Sequence, residues 1–288
     1  MENPRPSLRY AWYVVAVLMI AYISSFVDRQ VLTLLVKPLK RDFHITDTQY
    51  GLLVGLSFAI FYTFLGIPIG RLADRHSRKR IIVWGITIWS LMTALCGMAG
   101  SYNQLFLARI GVGVGEAALS PAAYSLITDL FPRHKLGTAL AVYNIGVYLG
   151  SGLSILLVAL VLKLISVDGL WTLPLIGNIF PWQSVFFLVG LPGLLIVILI
   201  ALTIREPHRA IKGTVAIPVA DLLAYYRQNQ RAILHLFFGI AFMAFSSYSV
   251  TAWVPTLLER KYDLTASQAG LLLGGIITVF STAGVLFG

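Results

Sequence analysis

The most constraining feature of this sequence is a series of apolar stretches, most of them about 20 residues or longer. A helix of that length can cross the roughly 30 Å hydrocarbon core of a bilayer. We number the stretches spans 1 to 8, and they lie at residues 11–36, 48–70, 81–100, 104–127, 137–164, 184–204, 232–257 and 268–288. Only 12% of the residues are charged, against roughly 25% in soluble domains. The chain is therefore predicted to be an all-α multi-pass membrane protein.

Lys and Arg are unevenly divided between the two sides of the membrane that these spans define. Fourteen of them lie in the N-terminus and in the loops after spans 2, 4 and 6, whereas six lie in the other loops. Because cytoplasmic loops collect Lys and Arg, the N-terminus is predicted to be cytoplasmic. The same rule accounts for the net charge of +10, so the expected surroundings are the lipid bilayer of the cell membrane and no nucleic-acid partner is expected.

Spans 7 and 8 repeat spans 1 and 2. The segment SSFVDRQVLTLLV (24–36) matches SSYSVTAWVPTLL (246–258), and TQYGLLVG (48–55) matches SQAGLLLG (267–274), at offsets of 222 and 219 residues. Two matches in the same order at nearly equal offsets predict two related halves, a plan used by many transporters. The expected organisation is a six-helix bundle at 1–204, a cytoplasmic linker at 205–231, and the first two helices of a second bundle at 232–288. That second half is expected to be truncated, with four further helices to follow.

Charged residues inside the spans need a special explanation, because a charge at the bilayer centre costs about 2.5–3.5 kcal/mol on insertion scales. Asp28 and Arg29 lie in span 1, and Arg109 and Glu116 lie in span 4. The repeat carries uncharged residues opposite Asp28 and Arg29, so a function explains this pair better than the fold does. Arg109 and Glu116 are about two helical turns apart and share one face of span 4. The glycines among them, at 111, 113 and 115, are expected to permit close helix packing.

The loop between spans 2 and 3 reads GRLADRHSRKR (70–80). Its fixed pattern resembles the signature of the major facilitator superfamily in this loop, G-x-L-a-D-r-x-x-r-[KR]. The matching residues proposed to form a cytoplasmic gate are Gly70, Asp74, Arg75, Arg78 and Lys79. The resemblance implies that this loop latches the two halves together, with Gly70 allowing close helix approach and Asp74 lying against positive helix ends.

Further motifs are similar to the spinster group of that superfamily. They are Asp28-Arg29, Arg109 with Glu116, SLITDLFP (125–132) and FFLVGLPGLL (186–195). The resemblance implies a secondary transporter in which two halves rock around a central cavity lined by spans 1, 4 and 7. It also implies an amphiphilic, lipid-like or small organic substrate. A sugar-acid-type organic-anion symporter and a non-transporting membrane fragment remain alternatives.

Under that resemblance, Asp28 and Glu116 are the predicted proton-coupling residues, with Arg109 and Arg29 as their charge partners. At 1.5 Å per residue, Asp28 lies roughly 15 Å, Arg109 about 9 Å and Glu116 about 20 Å below the outer ends of their spans. Asp28 is therefore expected at a depth between Arg109 and Glu116, able to pair with Arg109 when it is charged. The alternative is a static buried ion pair without a role in transport.

Enzymatic chemistry has little support in the sequence. No P-loop or G-x-S-x-G nucleophile motif is present, and the glycine-rich run of span 4 has no preceding strand that would make it a nucleotide loop. Four of the five histidines lie in loops, so no metal cluster is implied. We expect a transporter that is not an enzyme, has no cofactor or metal, and has a small-molecule or lipid substrate and protons as its partners.

Overall fold

The computed structural model describes residues 6–164, 171–173, 177–207, 219–281 and 283–284. Within these residues, seven helices are long and apolar enough to cross a membrane, and they correspond to spans 1 to 7. Their bounds are Leu8–Leu34, Asp47–Arg75, Arg78–Cys96, Tyr102–Leu130, Arg133–Val161, Gln183–Thr203 and Gln230–Lys261. A shorter apolar helix, Ala266–Ser281, corresponds to span 8. The predicted multi-pass helical architecture is confirmed, with bounds that differ by a few residues.

Several spans are interrupted or continued by irregular turns. Span 1 is an α-helix over Leu8–Gln30 that continues as a 3₁₀ turn over Val31–Leu34. Span 2 combines Asp47–Gly51, a π-helical turn at Leu52–Leu56 and Ser57–Arg75, and span 4 divides into Tyr102–Glu116 and Leu119–Leu130. Span 5 extends over Arg133–Leu164, and span 8 passes from Ala266–Ile276 into a π-helical turn at Ile277–Ser281. Two shorter helices, Val36–Phe43 and Val219–Gln228, lie outside the spans.

A short hairpin departs from the all-helical prediction. Strand β1 (Trp171–Leu173) pairs antiparallel with β2 (Gly177–Ile179), with Thr172 opposite Asn178. These strands lie in the connection between spans 5 and 6, where the chain has left the long apolar runs. Aromatic and β-branched residues such as Trp171, Thr172 and Ile179 favour extended backbone once no helical span is required. The hairpin is a local addition to a helical fold.

Close helix packing depends on the glycines of span 4. Span 1 packs along span 5, span 3 lies between spans 4 and 6, and span 8 packs against span 5. A Cβ atom at Gly115 would stand 2.5 Å from the Trp89 backbone nitrogen, and one at Gly113 would stand 2.7 Å from the Phe58 carbonyl oxygen. Such distances leave no room for a side chain, so these glycines allow spans 2 and 3 to approach span 4, as the sequence predicts.

The repeat between spans 1–2 and 7–8 is visible in local geometry. His44 and Asp263 both have a φ of 53°, the left-handed region. Two residues later, Thr46 and Thr265 each open a helix with a capping box, in which a Gln side chain accepts from the Thr backbone N–H at 2.9 Å. These features recur at an offset of 219 residues, the same offset as the second sequence match. The repeat therefore preserves backbone conformation as well as sequence.

Candidate functional site

We name the two ends of the bundle by their residues. The basic end carries residues 71–80, 131–135 and 203–206, and the far end carries residues 35–46, 97–101, 180–183 and 259–265. The charged residues predicted within the spans lie between these ends, in the interior formed by spans 1 and 4. Asp28, Arg109 and Glu116 are each at most 1% exposed.

Glu116 is the last residue of the first helix of span 4, next to the break in that span. Its Oε2 accepts a hydrogen bond from Arg29 Nε at 2.6 Å and another from Ser25 Oγ at 2.6 Å. Hydrogen bonds between charged groups are stronger than neutral ones, and a buried carboxylate requires such partners. Arg29 and Glu116 therefore form the ion pair of the site, and Ser25 is a contributor that the sequence analysis missed.

Aromatic rings enclose the other side of the Arg29 guanidinium. Its Cζ lies 4.8 Å from the ring centroid of Phe26, 4.6 Å from that of Phe58 and 4.5 Å from that of Tyr62. Rings at this distance attract a cation through their negative faces. Two of the three come from span 2, so the charge pattern of span 1 gave no signal for them. The guanidinium is held between a carboxylate and an aromatic wall.

Asp28 is in a different environment from Glu116. Neither oxygen of its fully buried carboxyl group has a hydrogen-bond partner among the described residues. Arg109 Nη1 donates to the backbone carbonyl of Asp28 at 2.9 Å instead. Because the α-helix of span 1 ends at Gln30, its last carbonyl groups lack full intrahelical partners and can accept from a side chain. In this structure Arg109 therefore does not pair with the Asp28 carboxyl group, a pairing that was expected for the charged carboxylate.

The contacts nevertheless follow the predicted order of depth. Arg109 contacts the backbone of Asp28, whereas Glu116 contacts Ser25, about one turn earlier along span 1. Arg29, Arg109 and Glu116 all act electrostatically on Asp28. The four predicted residues are thus brought together: Arg29 pairs with Glu116, and Arg109 contacts the backbone of Asp28 instead of its carboxyl group.

At the basic end, Arg78 is the buried centre of a network. It binds Asp129 at the end of span 4, Glu206 Oε1 at 2.8 Å and the Pro207 carbonyl at 3.2 Å. Lys79 Nζ donates to the Ala201 carbonyl at 2.7 Å. Of the other predicted gate residues, Asp74 and Arg75 are exposed, and a Cβ at Gly70 would lie 3.9 Å from Pro121. Among the described residues, the loop at 70–80 is therefore bonded to the end of span 4 and to the end of span 6 with the residues that follow it.

Glu206 is the main acceptor of that network. Burial acts to raise the pKa of its carboxyl group, but hydrogen bonds from the Lys79 backbone N–H, the Arg78 guanidinium and the Ser77 hydroxyl outweigh burial and lower that pKa below its ordinary value of 4.5. A lowered folded-state pKa stabilises the fold above the unfolded pKa, and the stabilisation is lost as the pH falls through the folded pKa.

We expect Glu206→Gln to flatten the acid side of the stability profile. Wild-type protein in detergent should lose thermal stability as the pH falls below about 4.5, and the variant should lose a few degrees less over the same interval. Melting temperature against pH measures this difference. Asp221→Asn, at an exposed carboxylate, is the matched control and should behave as wild type. An unchanged acid slope in Glu206→Gln would contradict the assignment.

Ion pairs also join span 7 to the first spans at the far end. Lys37 Nζ lies 2.8 Å from Glu259 Oε2, and Asp47 Oδ1 lies 2.8 Å from Lys40 Nζ and 3.0 Å from Arg260 Nη2. The sequence analysis missed this cluster. The sequence feature that could have predicted it is the concentration of charges just beyond spans 1 and 7, at positions related by the repeat. These pairs hold the far end of span 7 against the connection between spans 1 and 2.

No group of three or more His, Cys, Asp or Glu side chains suited to a metal ion occurs in the described ranges. The site is therefore an interior cluster of two carboxyl groups, two guanidinium groups and aromatic rings within a membrane-spanning bundle. Such intramembrane charges mark substrate or ion pathways.

Comparisons with known proteins agree with this architecture. The family model of the Major Facilitator Superfamily matches residues 18–288. An MFS-type efflux pump of Mycolicibacterium smegmatis is 28% identical over 96% of this chain and 61% of its own length. Protein spinster homolog 1 of Xenopus tropicalis is 32% identical over 98% of this chain and 54% of its own length.

A solved structure is similar over the same extent. It is the crystal structure of a bacterial homologue of the human lysosomal transporter spinster, in an inward-facing and unoccupied conformation. The TM-score is 0.83 and the identity 32%, over 96% of this chain and 61% of that one. The chain thus spans 54 to 61% of the length of these proteins. Its spans, its interior charges and these matches together show that the chain belongs to the Major Facilitator Superfamily of transporters and is spinster-like within it.

Proposed function

We propose that the protein is a secondary active transporter that works by alternating access and couples the movement of an amphiphilic, lipid-like substrate to protons. The observation that carries the coupling proposal is the fully buried Asp28 carboxyl group, which has no hydrogen-bond partner in the described part of the chain and lies close to the Arg29–Glu116 ion pair.

The carboxyl groups of Asp28 and Glu116 have different roles in this proposal. An ionised carboxylate is costly to bury unless it is paired and hydrogen-bonded, so Asp28 in this conformation requires a proton. Glu116 accepts from Arg29 and Ser25 through Oε2, whereas its Oε1 has no partner among the described residues, and the ion pair with Arg29 supports the carboxylate form. A movement of span 1 against span 4 that turned a guanidinium toward Asp28 would release the proton. Because the proton is bound in one conformation and released in another, the two conformations and the proton gradient are linked.

We infer that this conformation opens toward the basic end. The far-end ion pairs of Lys37 and Asp47 with span 7 keep that end closed, and the rings of Tyr50 and Trp253 meet there at 6.0 Å. The similar bacterial spinster homologue is inward-facing, and the excess of Lys and Arg assigns the basic end to the cytoplasm. This agreement supports a cytoplasmic N-terminus and a location in the cell membrane. Outward opening would then require the far-end pairs to separate.

The proposed substrate class rests on the spinster relatives and on span 7. Phe242, Phe245 and Tyr248 expose more than half of their surface in this structure, and Trp253 exposes 37%. In the proposed organisation, 1–204 forms one bundle, 205–231 is the linker and 232–288 belongs to a second bundle. Within that linker, Val219–Gln228 is a helix, which the sequence analysis did not predict.

The test is substrate-driven proton movement by the complete gene product in liposomes with an internal pH indicator. We expect a lysophospholipid to start proton flux, and a sugar acid such as galacturonate to start none. Flux with the sugar acid and no binding of lysophospholipid would instead support the organic-anion symporter. Transport of lysophospholipid without proton flux would remove the coupling proposal.

A further inference from the structure

A hydroxyl group of span 3 lies beside the Asp28 carboxyl group. Thr93 is fully buried, and its Oγ1 has no hydrogen-bond partner of good geometry in the described part of the chain. The Asp28 carboxyl group is close enough to interact with this hydroxyl, although the two do not meet the criteria for a hydrogen bond. Three unsatisfied buried oxygens therefore meet between spans 1 and 3.

The hydroxyl of Thr93 differs in its bonding from those of Thr87 and Thr128, although that of Thr256 in span 7 is also without a partner among the described residues. A threonine inside a helix commonly donates its hydroxyl to the carbonyl one turn earlier. Thr87 in the same span donates in this way to the Val83 carbonyl at 2.8 Å, and Thr128 donates to the Tyr124 carbonyl at 2.8 Å. The Thr93 hydroxyl forms no such bond. Its hydrogen-bonding capacity is left for a side chain across the helix interface.

The other groups around Asp28 form other bonds or can only donate, and Arg109 Nε has no partner among the described residues. Arg109 of span 4 donates to the Asp28 backbone carbonyl, and Arg29 of span 1 pairs with Glu116. Cys96 of span 3 is also within electrostatic range, but a thiol is a weak donor and a weak acceptor. Guanidinium groups only donate, so they cannot accept a bond from a protonated carboxyl group. A hydroxyl can both donate and accept.

We propose that Thr93 is a positioning residue for the proton on Asp28, and that its hydroxyl accepts a hydrogen bond from the protonated carboxyl group and donates one to the carboxylate. The proton itself is exchanged with solvent, and no covalent bond other than the O–H bond is made or broken. This inference rests on the proposed role of Asp28 in proton coupling, and it adds a residue that carries no charge.

The test compares Thr93→Val, which removes the hydroxyl at nearly constant volume, with Thr93→Ser, which retains it. The readout is the pH profile of proton-coupled transport by the complete gene product in liposomes. Because the bond to the charged carboxylate is the stronger one, Thr93→Val should move the midpoint of the profile to higher pH by about one unit. Thr93→Ser should restore the wild-type midpoint. Thr87→Val, on the same helix, is the matched control and should leave the profile unchanged.

Wild-type behaviour of Thr93→Val would overturn the proposal, as would an equal shift in Thr93→Ser, because the shift would then not depend on the hydroxyl group. If Thr93→Val does not fold, the serine variant and Thr93→Ala provide the same comparison, with only the alanine variant expected to shift. The variant Asp28→Asn separates the proposal for Thr93 from the proposal that Asp28 couples transport to protons. If Asp28→Asn keeps the wild-type pH dependence of transport, both the coupling proposal and the proposal for Thr93 are overturned. If Asp28→Asn loses that pH dependence but Thr93→Val leaves the midpoint unshifted, only the proposal for Thr93 is overturned.

Discussion

Asp28→Asn is expected to abolish proton-driven transport and to leave the protein folded. The amide has nearly the shape of the protonated acid, and the carboxyl oxygens of Asp28 have no hydrogen bond in the described structure that the change would break. The variant cannot exchange a proton, so substrate-driven proton flux in liposomes should fall to the level of empty vesicles. Its melting temperature should stay within a few degrees of wild type, because no buried charge is left unpaired.

Asp221→Asn is the control for this variant, since Asp221 is exposed and lies outside the spans. It should transport as wild type does. If Asp28→Asn transports with wild-type pH dependence, Asp28 is not the coupling residue and the buried carboxyl group is structural.

Arg29→Met should destabilise the protein strongly, because it leaves the buried Glu116 carboxylate with Ser25 as its one remaining partner among the described residues. Removing one member of a buried ion pair costs about 3–5 kcal/mol. Glu116→Gln in the same chain removes the uncompensated charge, so Arg29→Met/Glu116→Gln should recover most of that loss. The free energy of unfolding, measured for both single variants and the double variant, gives the coupling between the two residues.

Arg71→Met is a suitable control for the loss of an arginine, because Arg71 is exposed at the basic end. Its effect should lie within about 0.5 kcal/mol, as for other surface changes. Additive effects in the double variant would contradict the ion pair, because uncoupled residues contribute independently.

Hydropathy alone predicted the spans, since a bilayer imposes a minimum length of apolar helix that few other structures require. The grouping of Asp28, Arg29, Arg109 and Glu116 was also predictable, because charges are costly in lipid and tend to face one interior. The repeat has uncharged residues opposite Asp28 and Arg29, which favoured a functional reason for these charges. The predictions of the spans and of the charged cluster depend only on how residues are spaced along single helices.

The pairing within the site was not predictable, because it depends on how two helices are rotated against each other. Asp28 and Arg29 are adjacent in sequence and about 100° apart on the helix, so a small rotation decides which of them meets Glu116. The aromatic wall from span 2 and the hydroxyl of Thr93 come from other helices and carry no charge pattern. The partners of Arg78 could not be predicted either, because Asp129 and Glu206 lie 51 and 128 residues away from it in the sequence.

The central claim is that Asp28 carries the proton while Glu116 stays ionised. Infrared spectroscopy of the carboxyl C=O stretch tests this assignment, because among the groups of the protein only protonated carboxyl groups absorb there. We predict a band at neutral pH that is present in wild type, absent in Asp28→Asn and retained in Glu116→Gln. A band that persists in Asp28→Asn and disappears in Glu116→Gln would place the proton on Glu116 and contradict the account.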